Sequence, residues 1–171
     1  MLIHIKNIQM KTNEMKRIMI ALDYDPTAKR IAEIGNLLAK TMGAEVILLH
    51  VILDPVYYSN TDYSPIMGFA GHTEMLPIKL DSIEGLKDAS QQFLNKFKKH
   101  LGDETIQTEV RDGDFAESIL KAAKDLHVDV IVMGSHSKKW LENIVMGSVV
   151  TKVLHDTTIP LFIIPTKKVK V

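Results

Sequence analysis

The sequence predicts an α/β protein with an open parallel sheet of five strands and helices on both faces. Short apolar runs rich in branched residues recur along the chain, and a longer segment of helical period follows most of them. That alternation builds β-α-β units around a parallel sheet. The length of 171 residues suits one domain with a full core, since domains run most often to about 100 to 150 residues.

The first strand is expected over Arg17 to Leu22, after Met15 opens the segment MKRIMIAL. Residues 1–14 are then an extension, expected to be mobile or loosely attached, and residues 15–171 the single domain. A helix follows from Thr27 to Met42, because Ala28, Ile31, Ala32, Ile34, Leu38 and Ala39 gather on one side and Gly43 can cap its end. Glu45 to Ile52 is the second strand. Leu80 to Leu101 repeats the helical pattern through Ile83, Leu86, Phe93, Leu94, Phe97 and Leu101. The third strand, Ile106 to Arg111, alternates Ile106, Thr108 and Val110 with polar neighbours and belongs near an edge. Asp114 can cap a third helix over Phe115 to Leu126, with Glu117 completing a capping box. Val128 to Met133, a helix from about Gly147 to His155, and Ile159 to Ile164 finish the chain. Three of the strands are apolar at nearly every residue, as expected where helices cover both faces, and belong in the centre. Asp54 to Pro77 fits no period and reads as a surface loop, or as a lid or partner surface beside a ligand site.

Composition excludes several classes. Lys plus Arg equals Asp plus Glu at 21 each, so the cationic excess that drives general binding to nucleic acid is missing. There is no cysteine, which removes disulfides, thiol nucleophiles and thiolate metal sites. No apolar stretch approaches the roughly 20 residues of a membrane span, and the N-terminus lacks the apolar region of a signal peptide. A cytoplasmic protein is expected. Seven dispersed histidines lack close ligand spacing, so His50 and His136, the two placed to face a ligand, give no metal site of their own.

The chemistry lies in Val128 to Pro165, where a buried strand ends at Gly134 and a helix begins at Gly147-Ser148. Ligands of open parallel sheets bind beyond the carboxyl ends of the strands, where the winding reverses. A helix start offers unpaired N–H groups and a positive dipole end to phosphate. Gly147 has no Cβ to block that approach, and Ser148 adds a hydroxyl donor.

The run Gly134-Ser135-His136-Ser137, nine residues, Gly147-Ser148 resembles the G-x-x-G, nine residues, G-S/T signature of the universal stress protein family. The strand ending in Asp23, the segment VILLHV, the turn RDGDFAESIL and the last strand closing on proline are similar to that family in the same order, over residues 15–166. The resemblance implies a Rossmann-like, doubly wound sheet in the order 3-2-1-4-5 that binds ATP or AMP, with any Mg²⁺ arriving on the nucleotide. Carried over by position, it implies that Ala21, Leu22 and Asp23 line the purine and ribose side, and that Val51 holds adenine through its backbone. Met133 and Gly134 would lie under the ribose. His136, Ser137, Gly147, Ser148, Val149 and Val150 would surround the phosphates, chiefly through main-chain N–H groups. It also implies a homodimer through Ile159 to Ile164.

Two positions depart from the pattern. Ser137 stands where the second glycine is expected, and a left-handed conformation there would cost about 1 kcal/mol. Val150 stands where threonine is common, so a hydroxyl for the terminal phosphate is missing and AMP or ADP would fit as well as ATP. Asp23 serves either as a ribose or adenine contact or as a cap for the helix after Pro26, and Asp25 reads as a turn residue. The leading function is a regulatory, nucleotide-binding dimer acting in the stress response. The alternative is a nucleotide-independent dimeric scaffold that meets a protein partner through residues 54–77. An enzyme is not expected. No G-x-x-x-x-G-K-S/T loop, G-x-G-x-x-G turn or adenylyl-transfer signature is present, and no segment sets out a nucleophile, base and orienting acid.

Overall fold

The computed structural model describes residues 15–53, 82–135 and 147–166. The expectations for residues 1–14 and 54–77, and for His136 and Ser137, fall outside these. Within them the chain runs β1 (Arg17–Ala21), α1 (Ala28–Met42), β2 (Glu45–Ile52), α2 (Ile83–Leu101), β3 (Gln107–Asp112), α3 (Phe115–Asp125), β4 (Val130–Gly134), α4 (Ser148–Asp156) and β5 (Leu161–Ile164). The five strands are all parallel, in the order β3-β2-β1-β4-β5. Parallel strands need crossovers, and the helices supply them.

The period of two along each strand divides the core between the faces. Ile18, Ile20 and Leu22 pack with Val46, Leu48, Val130 and Val132 beneath α1 and α2. Met19, Ile47, Leu49, Val51, Ile131 and Met133 pack beneath α3 and α4. β1, β2 and β4 are therefore buried on both sides. The expected edge strand β3 has half-buried Thr108 and Val110, and at the other edge β5 leaves Phe162 41% exposed.

Local chemistry sets the ends of the helices. Gly43 closes α1 at φ 65°, where a Cβ would be strained, and its neighbourhood returns N–H groups to Ala39 and Lys40. Ser82 accepts from the Gly85 amide at 3.1 Å and starts α2. Asp114 accepts from the Glu117 amide at 3.0 Å, as its sequence position predicts. Glu117 does not close the box. Its carboxylate meets Lys152 of α4 at 3.0 Å, and Lys152 also reaches Asp114 at 3.2 Å. β4 begins two residues later than the apolar run suggests, because Val128 still donates to Ala123 and the Asp129 carboxylate receives the Lys16 and Arg17 amides. β5 begins after Pro160, which has no N–H to give.

Candidate functional site

The winding reverses between β1 and β4. From β1 the chain crosses over through α1 and α2 on one face, and from β3 through α3 and α4 on the other. Such a reversal leaves a crevice at the carboxyl ends of the two central strands. Ala21, Val51, Met133, Val149 and Val150 all belong to the α3–α4 face, so alternation along three strands brings these candidates to one side.

Hydrogen bonds close the floor of the crevice around Ser135. Its carbonyl accepts from the Gly147 amide at 3.0 Å, and its amide donates to Ile164 at 2.9 Å. Its hydroxyl oxygen accepts from the Thr166 amide at 3.1 Å and lies 3.2 Å from the Thr166 hydroxyl. One serine thus joins the ends of β4 and β5 to the start of α4. The ends of a twelve-residue step, Ser135 and Gly147, are held together by this bond, which brings α4 beside Gly134.

The Gly147 amide is consequently engaged with protein. The amides that α4 itself leaves without an acceptor are those of Ser148, Val149 and Val150, because the first intrahelical bond runs from Thr151 to Gly147 at 3.0 Å. No acidic side chain lies in the first turn of α4. By contrast α3 opens on the Asp114 carboxylate, and Asp25 serves α1 by accepting from the Thr27 amide at 2.8 Å. Ser148 is exposed, whereas the Val150 side chain is buried in the core with Val153. A hydroxyl at position 150 would point into apolar packing, so this residue can meet a ligand only through its backbone.

Gly134 is a glycine for a reason on the opposite face. A Cβ there would run into Ile31 of α1 and come within 2.9 Å of Thr166. Leu22 is also turned away from the others: its side chain lies in the α1–α2 core, its amide donates to Leu49 at 2.9 Å, and its carbonyl accepts from His50 Nδ1 at 2.7 Å. Val51 lies past the last bond between β1 and β2. Since Ile52 accepts from Gly113 on the β3 side at 3.0 Å, alternation turns the peptide groups of Val51 toward the space beyond β1.

Asp23 is half-buried, and its carboxylate accepts from the Asp25 amide at 3.2 Å. The cap of α1 is Thr27. Asp23 therefore does not cap this helix, while Asp25 is a turn residue as expected, binding both the amide and the hydroxyl of Thr27. His50 does not face the crevice: it is 3% exposed and lies on the α1–α2 side against Tyr24 and Phe93. The sequence alone assigned no part in the site to Ser135, Tyr24 or Ile31. A polar residue at the end of a buried strand marks Ser135, but nothing in the helical stripe of α1 distinguishes Ile31. Among the described residues no group of three His, Cys, Asp or Glu is placed to hold a metal, and no helix is long and apolar enough to cross a membrane.

Fold and crevice together define a doubly wound α/β protein with an anion-compatible helix start at its winding reversal. The chain belongs to the universal stress protein family, whose family model matches residues 14–165. It is 29% identical over 157 residues to universal stress protein MJ0577 of Methanocaldococcus jannaschii, covering 89% of this chain and 96% of that protein. The solved structure of MJ0577 superimposes with a TM-score of 0.65 at 26% identity, covering 91% of this chain and 99% of the other. Universal stress protein MJ0531 of the same organism is 30% identical over 161 residues, which is 91% of this chain and 85% of that protein. A universal stress protein of Archaeoglobus fulgidus, solved in complex with dAMP, has a TM-score of 0.55 at 18% identity, over 88% of this chain and 98% of that one. At that identity the likeness speaks for the fold alone.

Proposed function

We propose that this protein binds an adenine nucleotide, ATP or AMP, in the crevice between β1 and β4, and acts as a cytoplasmic regulatory dimer in the stress response rather than as an enzyme. The observation that carries this reading is the bond from Gly147 to Ser135. It sets an acid-free helix start beside the carboxyl end of β4, on the face that also holds Ala21, Val51 and Met133. Ser148, Val149 and Val150 would offer amides to phosphate, with His136, Ser137 and Gly147 around them. The Val51 peptide would meet the adenine edge, and Asp23 the ribose. Gly134 and Leu22 would shape the site from behind. Any Mg²⁺ would be held mainly by the phosphates, since the described residues bring no cluster of metal ligands. Membership of the same family as a protein solved in complex with dAMP supports the choice of ligand class.

The regulatory mechanism is a population shift, which requires the nucleotide to favour one conformation or assembly over another. β5 supports the dimer: among the described residues it pairs with β4 alone, and Phe162 stands exposed on it. An uncovered edge of this kind invites pairing with a second copy.

Mass analysis of small molecules released from the denatured protein tests the ligand, together with calorimetric titration of AMP and ATP. Gly147→Val is the decisive variant. Gly147 has φ −55° and ψ 148°, which valine adopts without strain, so the fold should persist while the side chain blocks the approach to α4. Undiminished affinity in that variant would reject the placement of the phosphates. A protein that releases no nucleotide and shows no thermal shift with either would leave the scaffold reading in its place.

A further inference from the structure

The turn that carries Asp23 is anchored from the face opposite the crevice. Leu22, just before it, gives its carbonyl to His50 Nδ1 at 2.7 Å. Tyr24, just after it, lays its ring 4.4 Å from His50 and 4.6 Å from Phe93, and its hydroxyl meets Ser90 Oγ at 2.9 Å. Ser90 and His50 are both buried. A carbonyl oxygen only accepts, so Nδ1 carries the ring proton and the neutral ring leaves a bare lone pair on Nε2. Among the described residues that nitrogen has no hydrogen-bond partner. Leaving a buried acceptor unmet is costly, so the packing of the ring alone does not account for a histidine here; its one satisfied polar atom serves Leu22.

We propose that His50 and Tyr24 are positioning residues: a buried strut from β2 and α2 that holds Leu22 and Tyr24 and thereby sets Asp23, between them, against the nucleotide. This rests on the nucleotide reading above. Neither residue touches the ligand, because both lie behind the sheet on the α1–α2 side. Their effect passes through the turn, whose own bonds run from the Asp25 amide to Asp23 and from the Thr27 amide to Asp25.

Two substitutions separate the donor from the ring. His50→Phe keeps an aromatic ring and loses the donor; His50→Asn loses the ring but carries an N–H at the same number of bonds from the backbone as Nδ1. AMP affinity by calorimetry and amide exchange over residues 22–27 are measured in the full-length protein. With the strut in place as described, His50→Phe binds AMP about tenfold more weakly and exchanges faster at Asp25 and Thr27, while His50→Asn stays within about twofold of wild type despite a lower melting temperature. Tyr24→Phe, which removes only the hydroxyl, shifts both readouts in the same direction by less. Native affinity and exchange in His50→Phe, or equal losses in the Asn and Phe variants, would overturn the strut. A wild-type protein with no affinity for AMP would remove the nucleotide reading instead, and the exchange data would then decide the strut alone.

Discussion

Acid should weaken this fold through His50 in a window set by its burial. Desolvation pushes the imidazole down from its ordinary 6.5 to about 4, opposed in part by the bond to the Leu22 carbonyl. The folded chain thus refuses a proton that the unfolded chain accepts between those values. Stability from this residue is complete above pH 6.5 and is lost as the pH falls toward 4, at up to about 1.4 kcal/mol per pH unit. Between pH 7 and pH 5 the linkage removes about 2 kcal/mol. His50→Phe lacks the titrating group and leaves the Leu22 carbonyl unmet, so it starts about 1 to 3 kcal/mol lower at pH 7. Its stability then falls less, and the two proteins converge near pH 5. Every other ionisable group is common to the two proteins, so the difference between them isolates His50. Asp103, bonded by Thr105, and Asp114, bonded by the Glu117 amide, are held below the ordinary 3.8; their stabilisation is present above that value and is lost beneath it. Urea titrations followed by circular dichroism at pH 7, 6 and 5 measure the difference. Parallel curves for wild type and His50→Phe would refute the reasoning, since a buried neutral histidine cannot be removed without flattening the acid limb.

Two further variants test the geometry elsewhere. Gly134→Ala should destabilise by about 1 to 3 kcal/mol through overpacking, because its methyl meets Ile31 and Thr166; combining it with Ile31→Val should recover part of the loss in thermal unfolding. Phe162→Lys should leave the monomer folded, since the side chain is 41% exposed, and should convert the proposed dimer to a monomer in analytical ultracentrifugation; an unchanged mass would place the interface elsewhere.

The architecture was legible because its determinants repeat. Branched apolar runs marked the two-sided strands, and Ile106, Thr108 and Val110 identified the edge strand by their alternation. Caps were legible where one residue suffices, as at Gly43 and Asp114. The side on which a residue acts was not. Leu22 and His50 sit amid residues that face the crevice, and only their parity along β1 and β2 sends them to the other core. Glu117 likewise has the spacing of a capping box, yet Lys152 from a helix 35 residues away claims its carboxylate. Long-range competition of that sort leaves no local trace in a sequence.

The two described glycines of the signature have opposite work, and this bears on how such a motif should be read. Gly134 admits a helix: α1 lies so close over the end of β4 that Ile31 occupies the place of its missing Cβ. A substitution there acts first on stability and only then on any ligand. Gly147 has a backbone conformation open to all residues, and its amide is spent on Ser135. Conformational freedom is therefore not what position 147 requires; what remains is room for something to pass over it, and Gly147→Val decides whether that something is a phosphate. A loss of binding in Gly134→Ala alone would carry little weight for the site, whereas the same loss in Gly147→Val, with the fold retained, speaks directly to it.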